Sequence, residues 1–163
     1  MEELLKKLEE NKYRLFKIIN REQLEIIAPE SFELAQEGFR VYPDEHEPIE
    51  DWANIVGENV YVIGSTCDLG DPIIVDTNDK RLPVYTLFID DWNIISRVAN
   101  SFDEFIENLK MLDDKINKEK VSKEELTQIV NHLDNINSSA GFYEGLCFDI
   151  LDDSGFYADK YNK

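Results

Sequence analysis

Two periodicities alternate along the chain. Between residues 2 and 19, Leu4, Leu5, Leu8, Leu15, Phe16 and Ile19 recur at near-helical spacing, which predicts one amphipathic helix. Residues 23–27 read as a second, shorter helical stretch that Pro29 interrupts, and residues 31–36 as a further turn. Gly38 then releases the chain into a short predicted strand over 39–42. Residues 43–48 form an acidic loop bounded by prolines, and residues 49–55 one or two helical turns ended by Gly57.

The middle of the chain is β in character. Val60-Tyr61-Val62-Ile63, Pro72-Ile73-Ile74-Val75, residues 84–89 and residues 94–98 are short β-branched or aromatic runs, hence strands. Their connections are too short for parallel crossovers, so antiparallel pairing is expected. Residues 76–81, with Asn78-Asp79, read as a hairpin link. Helical spacing returns at Phe102, Phe105, Ile106, Leu109 and Leu112, behind a capping box of Ser101 and Glu104. Ser122 and Glu125 repeat the device ahead of Leu126, Ile129, Val130, Leu133 and Ile136, with residues 115–120 as a polar connector.

The expected fold class is therefore α+β: a mainly antiparallel sheet of four to six strands with helices before and after it. The 163 residues suit a single domain, since a chain near this size removes about 70% of its unfolded surface from water. Tyr143, Phe148, Phe156, Tyr157 and Tyr161 predict that the end of the chain docks to some extent.

Charge changes this picture. Seventeen bases against thirty-five acids leave a net charge of −18. No Lys or Arg occurs between Arg40 and Lys80, a stretch that holds ten acids. A field of one sign repels nucleic acid and anionic lipid, and it speeds encounter with basic partners. No apolar run approaches the roughly 20 residues that span a bilayer, and the first residues lack the pattern of a secretory signal. Cys67 and Cys147 lie far apart and are expected to be reduced, so the expectation is a cytoplasmic protein without disulfides.

Candidate chemistry is thin. His46 and His132 are the available near-neutral acid–base groups, one in a polar loop and one on the polar side of a helix. Cys67 stands beside Asp68 and Asp71, which raise a thiol pKa rather than depress it. The segment from Gly64 to Gly70 lacks the Gly-Lys-Ser/Thr ending of a phosphate loop. Residues 76–79 resemble the start of a calcium loop, but Arg81 and Leu87 occupy the positions that need glycine and glutamate. Paired carboxylates carry no signal in so acidic a chain. These residues predict no catalytic centre, no metal site and no cofactor.

The most specific stretch is Ile63-Gly64-Ser65, then Gly70-Asp71-Pro72-Ile73-Ile74-Val75-Asp76, then Pro83-Val84-Tyr85, then Val98-Ala99-Asn100-Ser101-Phe102-Asp103-Glu104-Phe105-Ile106. Over about residues 38–112 this order resembles the SUKH superfamily, bacterial immunity proteins related to a fungal regulator of cell-wall synthesis. Trp52 fits the same pattern. Each piece also has a physical reason: Gly70 permits positive φ, Pro72 opens a strand, and Ser101 caps a helix anchored by Phe102 and Phe105. The resemblance implies a core over about residues 20–113, with residues 114–163 as a helical extension. It implies a domain with no enzymatic role that neutralises a cognate toxin, often a nuclease. The expected partner is a basic protein, met by Asp44, Glu45, Glu47, Glu50 and Asp51 in one loop and by Asp68 and Asp71 in another. The alternative is a housekeeping adaptor or regulator linked to cell-envelope synthesis.

Overall fold

The structure is a computed structural model and describes residues 1–152. Six strands form one antiparallel sheet whose spatial order repeats their order in the chain. They are β1 (Leu15–Ile18), β2 (Arg21–Ile26), β3 (Val60–Thr66), β4 (Pro72–Asp76), β5 (Val84–Phe88) and β6 (Asp91–Ala99). Helix α1 (Glu2–Glu10) precedes the sheet and α2 (Glu50–Ile55) lies between β2 and β3. Helices α3 (Phe102–Asp113), α4 (Lys123–Asn137), α5 (Phe142–Leu146) and α6 (Phe148–Leu151) follow it. This is the α+β class that the sequence predicts.

The first third differs from expectation. The helix predicted to reach residue 19 stops at Glu10. There the Asn11 side chain accepts the Tyr13 N–H at 2.9 Å and donates to the Tyr13 carbonyl at 3.0 Å. Such a local turn competes with helical hydrogen bonding. Beyond it Phe16 and Ile18 alternate into the core as strand residues, and so do Leu24 and Ile26 in the stretch predicted to be a short helix. A two-residue turn joins β1 to β2: Ile18 pairs with Arg21, while Ile19 and Asn20 take φ of 50° and 65°. Tight hairpins favour that left-handed pair, normally with glycine in it.

Residues 39–42 form no strand; Val41 makes only isolated bridges to Glu37 and Pro48. The predicted turn over 31–36 consists of short 3₁₀ pieces, Pro29–Ser31 and Leu34–Gln36. The polar connector after α3 is helical. α3 runs on into a π-helical turn, Asp114–Glu119, which buries Ile116 and ends with Lys120 at φ 53°. Both predicted serine caps form, with the Ser101 and Ser122 hydroxyls each accepting the N–H three residues on at 3.1 Å, while the Glu104 carboxylate accepts from Asn100 N at 3.2 Å. Each such cap contributes about 1 kcal/mol.

The sheet is covered on both faces. On one, Phe16, Leu24, Ile63, Ile73 and Val84 pack with residues of α1 and of α3–α6. Leu126, Val130, Leu133, Tyr143 and Ile150 share this core, so the described residues after 113 are built into it. Tyr143 is fully buried; its hydroxyl donates to the Val98 carbonyl at 2.6 Å and accepts from the Asn108 amide at 3.0 Å. Phe148 is exposed, and Phe156, Tyr157 and Tyr161 lie outside the described residues. On the opposite face, Val60, Val62, Ile74 and Leu87 pack beneath Trp52. The Trp52 indole donates to the Val60 carbonyl at 3.2 Å. Burying so large a side chain contributes about 4–6 kcal/mol.

Two irregularities shape what the sheet presents. The β3–β4 register shifts between Val62 and Gly64, and there β3 comes so close to β2 that a Cβ on Gly64 would lie 2.2 Å from the Glu25 carbonyl oxygen. In the last pair, Leu87 faces Ile95 but Phe88 faces Asp91, so Trp92, Asn93 and Ile94 bulge out of β6. Residues two apart in a regular strand share a face. The bulge separates them: Trp92 packs edge-on against Trp52 with centroids 5.3 Å apart, while Ile94 stays on the face of Ser96.

Candidate functional site

The two acidic loops predicted to bind a partner sit in different layers. Residues 42–49 close on themselves through backbone bonds from Tyr42 N to Glu47 O, from His46 N to Tyr42 O and from Ile49 N to Arg40 O. Asp44 and His46 both take positive φ within this closure. Asp44, Glu45, Glu47, Glu50 and Asp51 are all exposed. Among the described residues, none of these five carboxylates accepts a hydrogen bond or faces a cation. Glu50 and Asp51 also lie in the first turn of α2, where negative charge suits the helix dipole. This loop belongs to the Trp52 layer.

Asp68 and Asp71 belong to the β3–β4 turn, at the rim of the helix-covered layer. Asp71 accepts the Ile89 N–H at 2.9 Å, and its own N–H donates to Thr66 Oγ1 at 3.1 Å. Asp68 lies 3.4 Å from the Arg21 guanidinium, which also pairs with Asp149 at 2.9 Å. Gly70 takes the positive φ, 73°, that the turn requires, and β4 opens at Pro72.

The residues weighed for chemistry are scattered or inert in character. Burial raises the Cys67 thiol pKa, and Glu22, Glu25 and Asp68 raise it further, the opposite of an activated nucleophile. Cys147 is fully buried, and that burial pushes its thiol well above the ordinary range. His46 is exposed, 4.0 Å from Glu37, whereas His132 is exposed on α4 in the other layer. The Asp76 and Asp79 carboxylates turn back onto their own loop, accepting the N–H groups of Asn78 and Arg81. The Arg81 side chain then holds the Asp79 carboxyl down at about 2. Among the described residues no group of three His, Cys, Asp or Glu side chains could hold a metal ion, and no helix is long and apolar enough to cross a membrane.

A groove that sequence reasoning did not find lies beside Asp68 and Asp71. It has a volume of about 380 Å³ and runs between the β3–β4 turn, the end of the β5–β6 pair and the α4–α5 corner. Thr86, Phe88, Ile94 and Ser96 form its sheet side, and Phe142, Gly145 and Leu146 its helical side. Asp134 fixes that corner: it accepts from the Ser139 hydroxyl, from Tyr143 N at 2.9 Å and from Glu144 N at 3.0 Å. Leu69 is 69% exposed at the rim and Ile94 53%, far more than the neighbouring core residues. The available signal was the alternation in β5 and β6, which leaves Phe88 and Ile94 on the helix side, beyond the last covering residue. No family model matches the chain, and no curated protein and no solved structure matches it.

Proposed function

We propose that the chain is a non-enzymatic protein-binding domain, an immunity protein that neutralises a cognate basic toxin through its acidic surface. The observation that carries this reading is the base-free stretch from Val41 to Asp79, of which Asp44, Glu45, Glu47, Glu50 and Asp51 stand exposed and, among the described residues, without cations. Carboxylates left unneutralised on one loop lower the stability of the isolated domain slightly through mutual repulsion. They speed capture of a positively charged partner by long-range attraction. Toxins that cut nucleic acid carry basic surfaces to bind a polyanion, and an acidic inhibitor competes for the same surface. The resemblance to the SUKH superfamily supports the same reading, since Gly70, Pro72 and Ser101 fill in this fold the turn, strand-opening and capping roles that its motif implies.

Co-expression with the toxin encoded beside the gene is expected to restore growth. Replacing the five loop acids by lysine is expected to slow association, most strongly at low salt, where screening is weakest. Association rates unchanged by that replacement would remove the loop from the interface. A gene with no toxin beside it, and capture of an envelope-synthesis protein at defined affinity, would favour the adaptor instead.

A further inference from the structure

We propose that the groove beside Asp68 and Asp71 seats large apolar side chains of a basic protein segment, whose lysines or arginines face Asp68, Asp71 and Glu144. The inference rests on the reading of the chain as a binder of a basic protein, and it places the anchoring contact away from the exposed acidic loop. Three observations carry it.

The first is size. A cavity of about 150 Å³ accepts a benzene ring, so the 380 Å³ here has room for two ring-sized side chains. The second is what the polar groups at the groove already do. Gln23 donates to Asp149 at 2.7 Å, Ser139 donates to Asp134, Thr66 Oγ1 accepts from Asp71 N, and Asp71 accepts from Ile89 N. Small-molecule sites hold their ligands with a few converging polar groups, and these four are committed within the chain. What remains is the Thr86 and Ser96 hydroxyls on the sheet side and apolar surface from Leu69, Phe88, Ile94 and Leu146.

The third is charge. Among the described residues no Lys, Arg or His lines the groove, whereas Asp68 and Asp71 do; Arg21, outside the lining, is shared between Asp68 and Asp149, and Asp71 faces no cation. The Glu144 carboxylate lies close to Gly141, a lining residue, since a Cβ there would be 3.8 Å from it. Apolar anchors flanked by cations match this floor and rim, and anchors buried in a pocket carry most of the energy of a protein interface.

The test uses the ¹⁵N-labelled chain and three six-residue peptides as probes. One carries Leu-Phe between pairs of lysines, one carries Gly-Gly between the same lysines, and one carries Leu-Phe between pairs of glutamates. The lysine Leu-Phe peptide is expected to shift the amide signals of Thr86, Ile94 and Gly145 saturably, and to bind about tenfold or more tighter than the other two. Gly145→Trp fills the groove. An added Cβ there meets nothing within 4 Å, so the backbone accepts a side chain at this position. This variant is expected to lose at least that factor while its remaining signals stay in place. Leu69→Ser, on the exposed rim, provides a second variant that should weaken binding. Equal binding of the Gly-Gly peptide with shifts confined to residues 43–51 would overturn the groove and leave the basic-partner reading standing. Absence of binding by both lysine peptides would overturn both. Equal binding of the glutamate peptide would overturn the charge match.

Discussion

The side-chain amide of Gln36 pairs with both backbone groups of Val62, donating to its carbonyl at 2.9 Å and accepting its N–H at 3.0 Å. Strand β2 ends at Ile26, so among the described residues this part of β3 has no strand neighbour on that side. A buried side chain takes the place of a strand there, and a second bond from Gln36 to the Phe32 carbonyl at 2.9 Å fixes it.

Gln36→Met keeps the length of the side chain and removes both functions. It leaves three buried backbone groups, the Val62 N–H and carbonyl and the Phe32 carbonyl, without this partner, at about 1–3 kcal/mol each. Denaturant midpoints should fall accordingly, with the slope unchanged. Gln36→Glu should also destabilise at neutral pH, because a carboxylate cannot donate to two carbonyls, and acidification toward pH 4 should recover part of the loss.

Gly64→Ala places a methyl group where the Glu25 carbonyl stands. The neighbour is backbone and cannot swing aside, so β2 and β3 must separate. Overpacking of this kind costs about 1–3 kcal/mol or more. Hydrogen exchange should locate the loss in β2 and the end of β3, while α3 and α4 keep their protection. Uniform loss across the chain would contradict the localised clash.

Tyr143 makes the fold sensitive to alkali. Burial raises its pKa, and the Asn108 hydrogen bond offsets this only in part. The folded state therefore favours the protonated phenol. That contribution is complete below the ordinary tyrosine value near 10 and fades as pH rises beyond it. Melting temperatures measured from pH 8 to 12 should drop above about pH 10. Tyr143→Phe should melt lower at pH 8, having lost two hydrogen bonds, but decline less steeply. Half-buried Tyr13, raised in the same direction, keeps some slope in the variant.

Asp134 holds the α4–α5 corner and with it one wall of the groove. Asp134→Ala removes the acceptor for three donors and should cost about 2–4 kcal/mol. If the groove binds as proposed, peptide affinity should fall as well, and Asp134→Asn should recover only part of each, since an amide oxygen accepts less strongly than a carboxylate.

The elements legible in the sequence were those whose local chemistry agrees with the final fold. β3, β4 and β5 are β-branched runs closed by turn residues, and α3 and α4 carry their own caps, so nothing from the rest of the chain was needed to find them. β1 and β2 were hidden because Leu15, Phe16 and Ile19 continue the spacing of Leu4, Leu5 and Leu8. The break at Asn11 is a single side chain bonding its neighbour, and Ile19 at positive φ is the reverse of a turn signature. The candidate site divides similarly. Exposure of the loop acids followed from composition alone. The groove depends on Asp134, on the α4–α5 corner and on a three-residue bulge, which are long-range features that no window of sequence contains.

The bulge at Trp92, Asn93 and Ile94 bears on how molecules of this protein coexist. β6 is an outermost strand, nine residues long, with Ile94 and Ile95 open to solvent, a combination that ordinarily invites neighbouring molecules to extend the sheet. Three residues without partners in the ladder break the even spacing of N–H and C=O groups that stacking would need to copy. The same kink that gives the groove an isoleucine thus keeps that isoleucine from seeding fibres.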